Sequence, residues 1–191
     1  IQSLLLEIDG RTILIDTCVG EHKARPARPI FDNRANTGFL DRLSALGVRP
    51  EEIDTVLCTH LHIDHVGWNT RLRDGRWVPT FPRARYLFGR KELAHWESLE
   101  PRAQVNHGSF VDSVLPIIEA GLVDLVDDGH ELLPGLVLRP LPGHTPGQMG
   151  LWLERGNTRV LFCGDALHSP LQLACPDLSA AFDTDRALAR I

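Results

Sequence analysis

The spacing of apolar and polar positions changes period several times along the chain. "LLLEID" and "TILIDT" are two strand-like runs around Asp9-Gly10, a pair that favours a tight hairpin turn. Residues 19–36 then lose all periodicity. They are basic and contain proline, and they predict a long loop of the kind that often carries function. "TGFLDRLSALG" has apolar residues at 39, 40, 43 and 46 and then Gly47, the spacing of a short helix with its stop. "IDTVLCTH" reads as a buried strand, "RLRDGRWVP" as a second Asp-Gly turn, "ARYLFG" as a strand and "RKELAHWESL" as a helix. Residues 109–120 are expected to be helical. "LVDLVDD", "LVLRPLPG", "QMGLWLER" and "TRVLFCGD" are expected strands, with Gly156-Asn157 turning between the last two. Strand hairpins mixed with separated helices argue for an α/β sandwich rather than strict βαβ alternation.

Composition narrows the class. The chain has 191 residues, of which 43% are apolar, enough for one domain with a real core. A net charge of −5 provides no general attraction for nucleic acid or an anionic membrane, so neither is an expected partner. No apolar stretch approaches the roughly 20 residues of a spanning helix, and no secretory pattern opens the chain. The first residues, "IQSLLLEIDG", lack an initiator Met and start as if inside a strand. The last, "FDTDRALARI", read as the first turns of an interrupted helix. Residues 1–191 are therefore expected to form a single domain incomplete at both ends. Cys18, Cys58, Cys163 and Cys175 form no C-x-x-C pair. They read as reduced structural thiols, which suits a reducing, cytoplasmic setting, with a signal peptide upstream left open.

The chemistry concentrates in "CTHLHIDHVGWN", where His60, His62, Asp64 and His65 follow the apolar run Val56-Leu57. In an extended segment, residues two apart share a face, so His60, His62 and Asp64 start on one side. Two residues span about 6.6–6.8 Å, which two imidazoles can close onto one ion at roughly 2.0–2.1 Å from each nitrogen. Asp64 lies too far along to share that ion unless the chain curls, and His65 has the opposite parity. A loop bent with the help of Gly67 must therefore carry them. One economical arrangement is two ions, with the first pair of ligands on one and the second pair on its neighbour. "LPGHTPGQ" places His144, and "VLFCGDALH" places Asp165, at comparable strand exits. A carboxylate can bridge two cations because both of its oxygens accept. His22, His95, His107 and His130 read as ordinary surface or core residues.

Taken in order, "HLHIDH", "PGHTPGQ" and "CGDALH", with "ILIDTC" upstream, resemble the metallo-β-lactamase superfamily over nearly the whole chain. The resemblance implies a four-layer αβ/βα sandwich with metals at one edge of facing sheets. It also implies His60, His62 and His144 on one ion, Asp64 and His65 on the other, and Asp165 bridging. The expected cofactors are two divalent ions, zinc first and iron or manganese as alternatives. The family's second ion normally takes a further His well downstream, which is expected beyond residue 191, with His168 as the substitute.

Two such cations lower the pKa of a shared water to roughly 7 and so make hydroxide available at neutral pH. Asp64 is the expected general acid/base and His168 the second catalytic candidate, with Asp16 and Thr59 fixing ligand tautomers. "GDALHSP" and "HVGWN" are similar to the branch of acyl-homoserine lactonases and methyl-parathion-type hydrolases. A lactone, ester or phosphotriester is the implied small-molecule substrate. Trp68 and Phe31 are expected to wall an acyl or aryl group, with Phe39 beside them, although core or loop packing is the competing role for both Phe. The only tyrosine, Tyr86, lies within a strand, away from the "GDAxY"-like place where lactonases often carry one. The rival readings are a glyoxalase II-like thioesterase, which would need basic residues for glutathione, and an iron-dependent oxidoreductase resembling sulfur dioxygenases. A non-catalytic metal-binding protein is a third. A homodimer is an open expectation.

Overall fold

The computed structural model describes residues 1–99 and 101–190. Leu4–Ile8 (β1) and Arg11–Ile15 (β2) pair antiparallel across the Asp9-Gly10 turn. Thr55–Leu57 (β3), Arg85–Gly89 (β6) and Val123–Val126 (β7) extend that sheet in parallel, in the order β1-β2-β3-β6-β7. Thr70–Arg73 (β4) and Arg76–Pro79 (β5) form a separate hairpin. Glu131–Leu133 (β8), Leu136–Pro140 (β9), Met149–Arg155 (β10) and Thr158–Phe162 (β11) form an antiparallel sheet in the order β11-β10-β9-β8. The helices are Phe39–Ala45 (α1), Arg90–Glu97 (α2), Leu115–Glu119 (α3) and the single turn Leu171–Ala174 (α4), with a π-helical turn at Phe110–Val114.

Alternation along the strands sorts two cores. Ile15, Leu57 and Leu87 are in register across three parallel strands. With Ile13 they meet Leu136, Leu138, Met149 and Leu151 of the second sheet. The neighbouring register row, Leu14, Val56 and Tyr86, faces the other way. It packs with Phe39 and Leu43 of α1, Leu93 and Trp96 of α2, and Phe110, Val114 and Ile117. This is the expected sandwich of facing sheets with helices outside. On the far face of the second sheet Leu161 is 43% exposed, so cover there is thin among the described residues. No helix among them is long and apolar enough to cross a membrane.

Three local expectations change. The strand read from "IDTVLCTH" stops at Leu57: Cys58 N still donates to Leu87 O, but the chain beyond leaves the ladder, and residues 65–68 bond the backbone of residues 17 and 18. Gly67 is required by close approach rather than by a left-handed φ: a Cβ there would lie 1.9 Å from the Val19 carbonyl carbon. "FDTDRALAR" forms turns instead of a helix, since Thr184 and Asp185 spend their amides on the carbonyls of His144 and Gly143.

Candidate metal centre

Parallel strands in register end together, and their exit loops share one edge. Asp16 follows β2, and His60, His62, Asp64 and His65 follow β3. His144 lies in the β9–β10 loop, and Asp165 follows β11. The Met149 amide donates to Thr59 O at 2.8 Å and binds the two sheets together at that edge.

One buried carboxylate sets the spacing of the ligand loops. Glu92 accepts from Leu61 N at 3.0 Å, Trp96 Nε1 at 2.7 Å, Thr145 Oγ1 at 2.7 Å and Gly147 N at 3.1 Å. It therefore fixes the His60–His62 loop to the His144 loop. Gly147 is needed here, because a Cβ would lie 2.1 Å from Glu92 N. Nothing in the helix pattern of "RKELAHWESL" marked Glu92 as anything but a surface residue, yet it is 1% exposed.

Three ring nitrogens converge. His60 Nε2 lies 3.0 Å from His62 Nδ1, which lies 2.8 Å from His144 Nε2. His65 Nε2 lies 3.2 Å from Asp165 Oδ1, His144 Nε2 lies 3.5 Å from Asp165 Oδ2, and His168 Nε2 lies 3.2 Å from that same Oδ2. Asp165 thus turns one oxygen to each half of the cluster. Asp64 lies 4.0 Å from His65 Nε2 and lines the cavity, but it is not among the groups of side chains close enough together to share one ion.

The remaining ring atoms fix the tautomers. Asp16 accepts from His65 Nδ1 at 2.8 Å, and Asp183 from His144 Nδ1 at 2.9 Å. Thr59 donates to Asp16 and so leaves its oxygen to accept from His60 Nδ1 at 3.2 Å. Three Nε2 lone pairs then point inward, two of them at a carboxylate. Acceptor facing acceptor is unfavourable unless a proton or a cation lies between. Burial and the neighbouring imidazoles hold His62 neutral, with its pKa lowered to about 3, and His60 is likewise lowered. Burial opposes charge on His65 as well, yet Asp16 and Asp165 overcome it and raise its pKa. Burial similarly opposes charge on Asp165, but His168 and His65 hold its carboxyl far below the usual range. The donor set, imidazoles with a shared carboxylate, fits divalent zinc. Asp16 has φ +57°, a strained conformation at the point where it orients a ligand.

A cavity of about 1000 Å³ opens over the cluster, and Phe31 is among its lining residues. Trp68 does not. It is buried at 5% exposure and stacks on Phe39, ring centroids 5.4 Å apart, because the 3₁₀ turn at Gly67–Asn69 points it into the helical-side core. Trp96 provides the aromatic wall instead, with its ring 5.3 Å from that of His62. His107, read as an ordinary histidine, also lines the cavity, and Asp183 carried no motif signal at all. Tyr86 is fully buried and donates to Asn69 O, remote from the ligands.

The fold and this edge cluster define a metallo-β-lactamase-type domain. The family model of the metallo-beta-lactamase superfamily matches residues 1–190, and the chain belongs to that superfamily. An N-acyl homoserine lactonase from a Bacillus species is 28% identical over 202 residues, covering 98% of this chain and 72% of the relative. A Mycobacterium tuberculosis protein named "Probable metallo-hydrolase" is 27% identical over 188 residues, 86% of this chain. The chain spans only 56% of that relative's length. Among solved structures, the hydrolase AbOPH of the same superfamily is 28% identical with a TM-score of 0.74, covering 97% of this chain and 62% of its own. AidC, a dizinc quorum-quenching lactonase, is similar in fold at a TM-score of 0.77 and 22% identity, over 98% of this chain and 64% of its own.

Proposed function

We propose that the chain carries the active site of a metal-dependent hydrolase that opens a lactone or cleaves an ester of a small molecule, with phosphotriesters as the neighbouring substrate class. The observation that carries this reading is the inward convergence of the His60, His62 and His144 nitrogens beside a carboxylate that faces both halves of the cluster. His60, His62 and His144 would hold one divalent cation and Asp64 and His65 a second, with Asp165 shared, and zinc is the preferred metal. When bound, the cations supply Lewis acidity and a nucleophilic water at neutral pH.

The chain's own residues do the rest. Asp16, Thr59 and Asp183 hold the ligand rings in the tautomer that presents a lone pair. Asp64, partly open to the cavity, accepts the proton of the attacking water and returns it to the leaving oxygen. His168 stands beside Asp165 in the cavity wall, where it can hold a substrate oxygen. Trp96, Phe162 and Phe182 offer an apolar lining for the acyl part.

The test combines elemental analysis with a panel of lactones, aryl esters and phosphotriesters. His62→Ala and Asp165→Asn should each lose bound metal and, with it, at least about 10³-fold in kcat/KM. Wild-type hydrolysis and metal content in either variant would refute the assignment. Iron with oxygen uptake would move the reading to the dioxygenase-like class.

A further inference from the structure

The loop expected over residues 19–36 is held by its own backbone hydrogen bonds and by a buried ion cluster. Its neck is closed by His22 N donating to Arg34 O and Asn33 N to Lys23 O, both at 2.8 Å. Lys23 and Arg25 turn inward, at 1% and 2% exposure, and pair with Asp112 on the π-helical turn. Lys23 Nζ also reaches Thr70 Oγ1 at 2.8 Å and lies 3.7 Å above the Trp77 ring centroid. The tip is turned by Arg28 N on Arg25 O and Phe31 N on Arg28 O, each at 2.8 Å. Both tip residues, Arg28 and Phe31, line the cavity over the ligand cluster.

Among the described residues, Arg28 is the only lysine or arginine that lines the cavity. Its Nε donates to His107 Nε2 at 3.3 Å, and no carboxylate lies within 4 Å of its guanidinium among the described residues. The seat beneath it is built at a conformational cost: Asn106, His107 and Gly108 have φ of +50°, +57° and +87° in succession. Positive φ at non-glycine residues is costly and persists only where surroundings enforce it. Here the Asn106 side chain bonds Leu61 O and Ile63 N, the backbone of the loop that carries His60 and His62. The guanidinium is therefore held in register with the ligand loop from one side and with the 22–34 loop from the other.

We propose that Arg28, seated on His107, is the specificity residue of this site and reads a carboxylate on the substrate, away from the bond that is cleaved. A guanidinium fork matches a carboxylate with two parallel N–H···O bonds. With Arg28 the one Lys or Arg lining the cavity among the described residues, a monoanion suits the site better than a dianionic phosphate. The substrate is then an ester or lactone whose tail ends in a carboxylate, in a cavity that Gln104 and Phe31 also line. This inference rests on the hydrolase reading above.

The experiment compares two esters that differ by one methyl group, p-nitrophenyl hydrogen glutarate and p-nitrophenyl methyl glutarate, on the zinc-loaded chain. The readout is the ratio of kcat/KM for the charged over the neutral ester. Arg28→Gln should lower that ratio about 10- to 100-fold, mainly through KM of the charged ester, and Arg28→Lys should restore part of it. An unchanged ratio in Arg28→Gln overturns the inference and leaves the hydrolase reading intact. An equal loss on both esters also overturns it, and makes Arg28 a latch for the loop. Hydrolysis of neither ester, nor of any lactone or phosphotriester, by the wild type overturns the hydrolase reading itself.

Discussion

The ligand cluster around His60 and the Lys23–Arg25–Asp112 cluster are both buried and both rich in charge. They differ in which kind of hydrogen-bonding atom is in surplus. Around His60, the outer nitrogens of His65, His144 and His60 are satisfied by Asp16, Asp183 and Thr59, so the inner nitrogens of His60 and His144 are lone pairs that face His62 and Asp165, while His65 keeps a proton toward Asp165. Around Asp112, both oxygens accept from Arg25 at 2.7 and 2.8 Å and one also from Lys23 at 3.3 Å, and only the Arg25 Nε lacks a partner among the described residues. The first arrangement is one that a cation could complete. The second is complete without a ligand, and its product is position: it anchors the loop whose tip borders the cavity. Burial of charge alone therefore does not mark a binding site; the surplus of unpaired acceptors does.

Asp112→Ala gives the sharpest separation. It leaves two buried cations without their carboxylate, so denaturant unfolding should show a loss of about 3–5 kcal/mol. Zinc affinity of the folded protein should change little, and a parallel collapse of metal binding would dissolve the distinction between the two clusters.

Asp183→Ala acts on the other side of the comparison. It frees the His144 ring to turn and to exchange tautomers, which should weaken zinc binding about 10- to 100-fold in a competition titration with a chromophoric chelator. Affinity unchanged in this variant would mean that the Asp183 contact only ties down the 183–189 segment.

The smallest effect concerns Lys23. Burial lowers its pKa to about 8 against the pull of Asp112. The unfolded chain, with a lysine near 10.5, then binds more protons than the folded one between those values. The cost of the buried ammonium is present at and below pH 8 and is relieved as pH rises from about 8 to 10.5. Lys23→Met should flatten that rise in a series of unfolding curves. A slope identical to wild type would show that Lys23 stays charged throughout.

The sequence alone determined most of the strands, though not β8, because alternation and Asp-Gly turns are local properties, and it determined the principal cluster candidates, because H-x-H-x-D-H at a strand exit concentrates costly side chains without another use. It did not reveal Glu92, Asp183 or the inward turn of Lys23 and Arg25. An acidic residue on a helix and a basic pair in a loop look solvated until the partners arrive, and those partners, Leu61, Thr145, His144 and Asp112, lie 31 to 89 residues away. Trp68 failed as a pocket residue for the same reason. A motif reports which residues are near in the chain, whereas the direction a ring faces is decided by how the 16–19 backbone closes against Gly67. Tertiary packing alone decided which polar clusters are completed from within and which leave inward-facing acceptors that could take a cation, since that depends on which donor meets which acceptor across the two sheets.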